Sequence, residues 1–453
     1  MPETTQQQAL NQSINTLDEA VKSGRFVRMR RLLSSLHPAE TAHLLESLPP
    51  KERTVCWPII SPDLHGDVLA YMGDDVRTDL LKDMDTADLI SATEDLDTDD
   101  IADILQDLPE HVMREVLRAM DGQHRRRVEA ILAYEEDTAG GLMNTDITTV
   151  RSDITLEVVL RYLRVLGDEL PANTDSIYVV DHNDHYIGSL ALSQVVSRSR
   201  SLTVNEVMSH QIEAITADMP DTDVAHRFEK HDLISAPVID KDNRLLGRIT
   251  IDDVVDVIRD EAEHTMLSMA GLSEDEDTFA SVKRSVNRRS LWLGVNLLTA
   301  FLAAWVIGLF DTTIEKQVAL AILMPIVASM GGVAGSQTLT LVIRAMALGQ
   351  LNDKNQRWLL RKELSVGAIN GFIWAVAIAI VTTLWFNNIE LGLLIGAAII
   401  INLIAAALAG VSIPLILKKF GSDPALSGGV LLTTVTDVVG FMAFLGFATL
   451  YIV

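Results

Sequence analysis

The sequence predicts a multidomain protein: an α-helical solenoid N domain, a tandem pair of α/β modules, a connecting helix and an α-helical transmembrane domain of five helices. Three observations predict it. Composition changes abruptly near residue 290, the chain beyond that point holds five apolar stretches, and the middle of the chain repeats itself. Of a formal net charge of −25 over 453 residues, almost none lies in the last part, where residues 291–453 carry 8 Lys and Arg against 7 Asp and Glu. The expected parts are an acidic helical N domain at 1–134, modules at 135–198 and 199–262, a connecting helix at 263–290 and the transmembrane domain at 291–453.

The N domain reads as short amphipathic helices. LHPAETAHLLESLP (36–49), SPDLHGDVLAYM (61–72) and DTDDIADILQDLP (97–109) each open on an Asp, Ser or Pro cap, and their succession suggests a solenoid. The acidic excess argues against a nucleic-acid partner and for cations, with a solubilising surface as the other reading. A single cysteine, Cys56, excludes a disulfide framework and any cysteine-built metal site. MPETTQQQALNQ has no apolar core, so no cleavable signal is expected. No HExxH, Walker loop or nucleophile elbow occurs, and the histidines are scattered, so an enzyme is not expected. His264 in DEAEH reads as a solvated helix position rather than a ligand for a softer metal.

The repeat comes next. Residues 143–163 match 208–228, pairing Met143 with Met208, Ile147 with Ile212, Asp153 with Asp218 and Val159 with Val224. After a change of register, SIYVVDHNDHYIG pairs with SAPVIDKDNRLLG. In each copy VVD or VID leads through an Asn/Asp turn to a short apolar strand, GSLAL or GRITI, and then to a helix. Such a unit buries its face against its twin. The pattern resembles a tandem pair of CBS domains. In that family a T-x-x-D pattern after the last strand often binds adenosine ribose or phosphate; the second copy keeps it as Thr250 and Asp253, while the first has Ala191 and Gln194. The resemblance implies ATP or another adenine nucleotide at Thr250 and Asp253, or a purely structural pair.

After the modules, DEAEHTMLSMAGLSEDEDTFASVKRSVNRRS is charged and helix-prone and leads into the first apolar stretch. The stretches lie at about 291–310, 318–343, 364–386, 391–417 and 424–453. Each reaches the ~20 residues a helix needs to cross a bilayer. Arg288 and Arg289 precede the first; Lys354, Arg357, Arg361 and Lys362 follow the second; Lys418 and Lys419 follow the fourth. Positive charge therefore marks one side, which puts the N-terminal 290 residues in the cytoplasm and Val453 outside a cell membrane.

Pro325, Ser329, Gly332, Ser336 and Thr340 share a face of the second span, as do Thr433, Asp437 and Gly440 in the fifth, and Asn402 adds an amide in the fourth. These groups suggest a polar path; small-residue helix packing is the other reading. An ionised Asp at mid-bilayer costs roughly 2.5–3.5 kcal/mol on insertion scales, so Asp437 needs a partner, a proton or a wet cavity. One Asp among hydroxyls and glycines suits Mg2+, which prefers oxygen ligands and keeps its water.

EEDTAGGLM (135–143), ITIDDVVDVI (249–258), PIVASMGGVAGSQTLTLVIRA (325–345), SDPAL (422–426) and TDVVG (436–440), in this order of domains, resemble the MgtE family of magnesium channels. Where many members carry Asn, this chain has Val333 and Ser336. The resemblance implies a homodimer in membrane lipid, with two pores or one shared path, and ion binding at Asp437. It further implies closure when cytoplasmic Mg2+ bridges Asp99, Asp103, Asp232, Asp253, Asp256 and Glu261. The alternatives are a membrane-anchored nucleotide or metal sensor without conduction, and a transporter of another divalent cation such as Co2+.

Overall fold

Short capped helices build the N-terminal part of the computed structural model, which describes residues 26–94, 96–167, 170–171, 173–210, 214–272, 277–352 and 354–451. Residues 1–25 of the expected N domain, Ile212 of the repeat and Val453 lie outside the described residues. The chain divides into two units, the first holding the N domain, both modules and residues 277–281, the second residues 263–272 and the membrane helices.

The N domain comprises α1 (Phe26–Leu33), α2 (Pro38–Glu46), α3 (Pro50–Cys56), α4 (His65–Ala70), α5 (Asp74–Leu81), α6 (Thr86–Ala92), α7 (Thr98–Gln106), α8 (Glu110–Ala119) and α9 (Gly122–Ile131). Side chains placed just before the helices satisfy amides that have no partner within the helix. His37 accepts from Ala39 N while Glu40 reaches back to His37 N, Asp85 takes Asp88 N, and Asp121 takes Gln123 N and His124 N. Too short to stand alone, these helices are held by one core that includes Leu44, Leu45, Val68, Leu69, Ile101, Ile104 and Leu105.

Each module is an α/β unit. In the first, β1 (Thr149–Arg151) runs parallel to β2 (Ser176–Val180), which pairs antiparallel with β3 (Tyr186–Ala191); α10 (Leu156–Leu166) and α11 (Leu192–Ser197) pack beside them. After α12 (Val204–Val207), the second repeats the order with β4 (Ile215–Thr216), α13 (Asp221–His231), β5 (Ser235–Ile239) and β6 (Leu245–Thr250). Both sheets even shift register at matching places, between Val179 and Val180 and between Val238 and Ile239.

The copies trade edges. Residues 139–144 precede β1 in sequence yet bond to the second sheet: Ala139 N to Met219 O, Gly140 N to Ala217 O, and Asn144 reciprocally to Arg248. Ser209, at the opening of the second copy, pairs in turn with Ser189 of β3. The N domain joins the same assembly, because Ala102 of α7 and Ile131 of α9 lie in the second module's core with Met143, Phe228 and Ile249.

The connecting helix α14 (Ile251–Ser268) starts at the end of β6, earlier than the expected 263. Instead of running to 290 it stops at Ser268, and Gly271 follows at φ +73°, a conformation that ends helices.

The second unit contains α15 (Val282–Gly308), the short α16 (Asp311–Lys316), α17 (Ala319–Ala347), α18 (Gln356–Phe386), α19 (Ile389–Lys419) and α20 (Pro424–Tyr451). Among the described residues, five helices, α15 and α17–α20, are long and apolar enough to cross a membrane. α15 and α18 begin before their apolar stretches, since KRSVNRRS and QRWLLRKE continue the helices without a breaker. α19 is the centre, packing on α17, α18 and α20 and burying Leu391, Ile395, Ala398, Asn402 and Ala406.

Candidate functional site

In the first unit the candidate is a group of carboxylates at the start of α7. Asp97 sits at the helix N-cap without capping it, and Asp99 and Asp100 occupy the first turn, where the helix dipole favours negative charge. The three bring carboxylate oxygens within 4.8 Å of one another. The second module supplies a fourth charge. Burial and the neighbouring Asp253, Asp100 and Asp97 push the Asp99 carboxyl well above its ordinary value. Burial, with Asp97, Asp103 and Asp253, pushes Asp100 up to about 7.

Asp103, one turn on, is pushed to about 6 by burial and the charges of Asp74 and Asp107, against the opposing pull of Arg77. Asp253 is raised by burial, Asp252 and Asp103. Crowded carboxylates with raised values repel, and a hard divalent cation is the natural relief because it takes oxygen ligands and neutralises two charges. The donor set fits such an ion.

A polar joint fixes the N domain against the second module here. Asn144 Nδ2 donates to Asp99 Oδ1 at 3.2 Å, and Asn144 Oδ1 accepts from Thr98 Oγ1 at 3.3 Å and Asp146 N at 2.7 Å. Thr98 Oγ1 also accepts from Thr145 N at 3.1 Å. Arg127 pairs with Asp146 across the same joint. Because the Asn144 backbone is bonded to Arg248 in β6, the side chain orienting Asp99 belongs to the second module's sheet.

Of the residues the sequence suggested, the structure brings Asp99, Asp103 and Asp253 together. Asp256 is exposed one turn further along α14 and paired with Arg259 at 2.9 Å; Glu261 is exposed beyond it. Asp232 ends α13 in the left-handed conformation, φ 50°, and is exposed. Asp97, Asp100 and Asn144 were not foreseen. The sequence signal for Asp97 and Asp100 is the D-x-D-D run, whose first residue looks like an ordinary helix cap. Thr250 donates through N (3.2 Å) and Oγ1 (3.0 Å) to Asp253 Oδ2, so the T-x-x-D pair closes on itself at the start of α14.

In the second unit Asp437 lies near the middle of α20, half-buried, and among the described residues no donor or cation meets its carboxylate. A structural hydrogen-bonding role therefore has no visible partner. Thr433, a turn before, bonds back to Gly429 O and Val430 O. Pro325, Ser329, Ser336 and Thr340 are exposed, and the space beside Gly332 is open, so among the described residues nothing covers this face of α17.

Two expected members of the polar path belong elsewhere. Asn402 is fully buried and donates to Val327 O at 2.8 Å, and Gly440 packs directly against it, so both serve helix packing. The membrane helices hold another carboxylate that their hydropathy pattern does not mark. Glu363 of α18 is buried, accepts from Thr338 Oγ1 at 3.2 Å and pairs with Lys362 at 2.6 Å.

Comparison with known proteins follows the same division. The MgtE family model, a divalent cation transporter, matches residues 324–447. The MgtE intracellular N domain matches 36–137, and the CBS domain matches 139–201 and 204–260. The magnesium transporter MgtE of Thermus thermophilus is 30% identical over 441 residues, covering 96% of this chain and 97% of the relative. That of Bacillus subtilis is 26% identical over 432 residues, covering 95% and 96%. A crystal structure of the cytosolic domain of the Mg2+ channel MgtE in complex with ATP covers 54% of this chain and 99% of its own, at 31% identity and TM-score 0.49. With three kinds of domain matched in order and a relative aligned over nearly its whole length, the chain belongs to the MgtE family of divalent cation transporters.

Proposed function

We propose that the protein conducts Mg2+ through a path on which Asp437 holds the ion, and that cytoplasmic Mg2+ closes this path by binding the carboxylates of Asp97, Asp99, Asp100, Asp103 and Asp253. The unpartnered Asp437 carries the first half. A carboxylate held inside an apolar helix without a counter-charge is stabilised by a cation and its water, and hard, strongly hydrated Mg2+ suits a single carboxylate. The uncovered face of α17, with its hydroxyls, supports a homodimer in which a second copy lies against it. The flanking Lys and Arg support a cytoplasmic first unit and an external C-terminus.

The closing reaction follows from the joint. With Mg2+ bound, the N domain stays docked on the second module; without it, repulsion between α7 and the start of α14 favours separation. Because α14 begins beside Asp253, any movement there passes along a continuous helix. Asp256, Glu261 and Asp232 lie outside the crowded group and would act as outer sites.

Uptake by liposomes containing only the purified protein tests the reading. Potential-driven Mg2+ entry that falls as Mg2+ rises on the cytoplasmic face is the expected result, and repeating it with Co2+ measures selectivity. Entry that never responds to cytoplasmic Mg2+ removes the sensor, and no entry removes conduction.

Adenine nucleotide binding at Thr250 and Asp253 belongs to the same reading, supported by the matched CBS models. Asp253 then serves both ligands. Calorimetry with ATP on the full chain and its Thr250→Ala form is expected to show heat only for the former; equal heat removes the site.

A further inference from the structure

The segment leading into the first membrane helix is anchored in the N domain. Arg53, on α3, is buried and donates through Nε to Leu45 O at 2.8 Å and through Nη2 to Glu46 O at 3.1 Å, capping the carbonyl end of α2. Its remaining capacity faces Asp277, with Nη1 to Oδ2 at 2.9 Å and Nη2 to Oδ1 at 3.0 Å. The fork-to-fork geometry is the strongest pairing a guanidinium makes. Both side chains are enclosed, 3% and 5% exposed. Two further bonds seat the loop, from Asp277 N to Asp75 Oδ2 at 3.3 Å and from Phe279 N to Asp277 Oδ1 at 2.8 Å.

An Arg needed only to cap α2 would turn its free edge to water, and a loop carboxylate would do the same. Here a residue 224 positions away enters the N domain to meet it. The partner comes from the short stretch that ends where α15 begins at Val282, not from the modules. Removing one member of such a buried pair leaves the other charge desolvated, so the contact resists casual opening.

We infer that Arg53 and Asp277 form a latch that ties the docked N domain directly to the leader of the first membrane helix, a second route to the gate beside α14. The inference rests on the sensor reading above. While the N domain is docked through Asn144 and Thr98, the latch fixes the leader. When carboxylate repulsion frees the N domain, the leader must travel with it or the pair must part. Parting of the buried pair adds its loss to the free-energy difference between docked and undocked states, and so sets how much Mg2+ closes the path.

The test titrates cytoplasmic Mg2+ against flux in liposomes for the full chain, Asp277→Ala, Arg53→Gln, and the double variant Arg53→Met with Asp277→Met. The last removes both charges without stranding either. Thermal melting of each variant in chelator reports whether the N domain still folds. The latch predicts that Asp277→Ala and the double variant raise the half-closing Mg2+ about fivefold or more, and that the Arg53 and Asp277 effects do not add. Hydrogen exchange at the Phe279 amide should become fast in both. Closure at the wild-type concentration in folded Asp277→Ala and double variants overturns the latch and leaves the sensor standing. A wild-type protein that ignores cytoplasmic Mg2+ overturns the sensor, and the latch as a gating element with it.

Discussion

Asn402 Nδ2 donates to the Val327 carbonyl at 2.8 Å, and Gly440 of α20 closes over that amide so tightly that a Cβ there would lie 2.7 Å from it. This contact fixes the distance between the helix carrying Asp437 and α17, whose Gly331 meets the same amide from the other side. Gly440→Ala should therefore force α20 outward, at about 1–3 kcal/mol for overpacking. A lower melting temperature in detergent together with reduced Mg2+ flux is the expected pair of results; unchanged melting would show that the helices tolerate the wider spacing.

Asp437→Ala and Asp437→Asn should abolish Mg2+ uptake. Because no described residue compensates this carboxylate, removing it should leave detergent melting unchanged or raised, by up to the ~3 kcal/mol that a mid-membrane charge costs. Expression and assembly serve as controls. Wild-type flux in either variant would reassign the ion site.

The cluster at α7 should make docking depend on pH. Asp100 and Asp103 are raised to about 7 and about 6, above the ~3.9 of a solvated Asp. The docked arrangement therefore binds more protons than the separated one between those limits, and docking weakens as pH rises through about 6 to 7. Without divalent cations, protection of the first unit from protease should be greatest at about pH 4, fall as pH rises through about 6 to 7, and be lost by about pH 8. Added Mg2+ should restore it at pH 8, since metal and proton compete for the same oxygens. Protection flat with pH in chelator would mean that these carboxylates are spaced too far apart to interact.

Replacing the crowded residues should matter more than replacing the outer ones. Asp99→Ala with Asp100→Ala should raise the half-closing Mg2+ by about tenfold, whereas Asp256→Ala, which removes an exposed partner of Arg259, should move it little. Swinging a gate from 1:99 to 99:1 takes roughly 5.5 kcal/mol of differential binding, and a single site at ten times its dissociation constant contributes only about 1.4 kcal/mol. The triple variant lacking Asp99, Asp103 and Asp256 should accordingly lose most Mg2+ protection. Closure at wild-type Mg2+ in the triple variant would place the sensor elsewhere.

The membrane spans and the repeated modules were legible because hydropathy and self-similarity are carried by each segment alone. Asp437 was legible for the same reason: a charge inside an apolar run is conspicuous. Glu363 was not, because Lys362 and Arg361 beside it end the apolar run and make it read as loop. Asn402 is conspicuous as a polar residue, but periodicity cannot distinguish a face turned to an ion from one turned to Gly331 and Gly440. The longest-range features are invisible in the sequence: nothing local in Arg53 announces Asp277, and nothing in Asn144 announces that it will orient Asp99 from another domain.

The traded edges of the two modules also bear on how the protein is made. Tyr186 N bonds to Asn243 O and Leu245 N to Asp184 O, while Asn144 waits for Arg248. On the ribosome the chain emerges from its N-terminus, so the segment 139–144 is exposed until β6 has emerged. The first module draws its core from residues 150–208, whereas the second, with a core reaching from Ala102 to Val254, cannot close as it appears. The second module therefore completes late, as β6 leaves the exit tunnel and the first apolar helix follows it, so a translational pause once Thr250 has emerged would give the soluble half time to fold before membrane targeting begins.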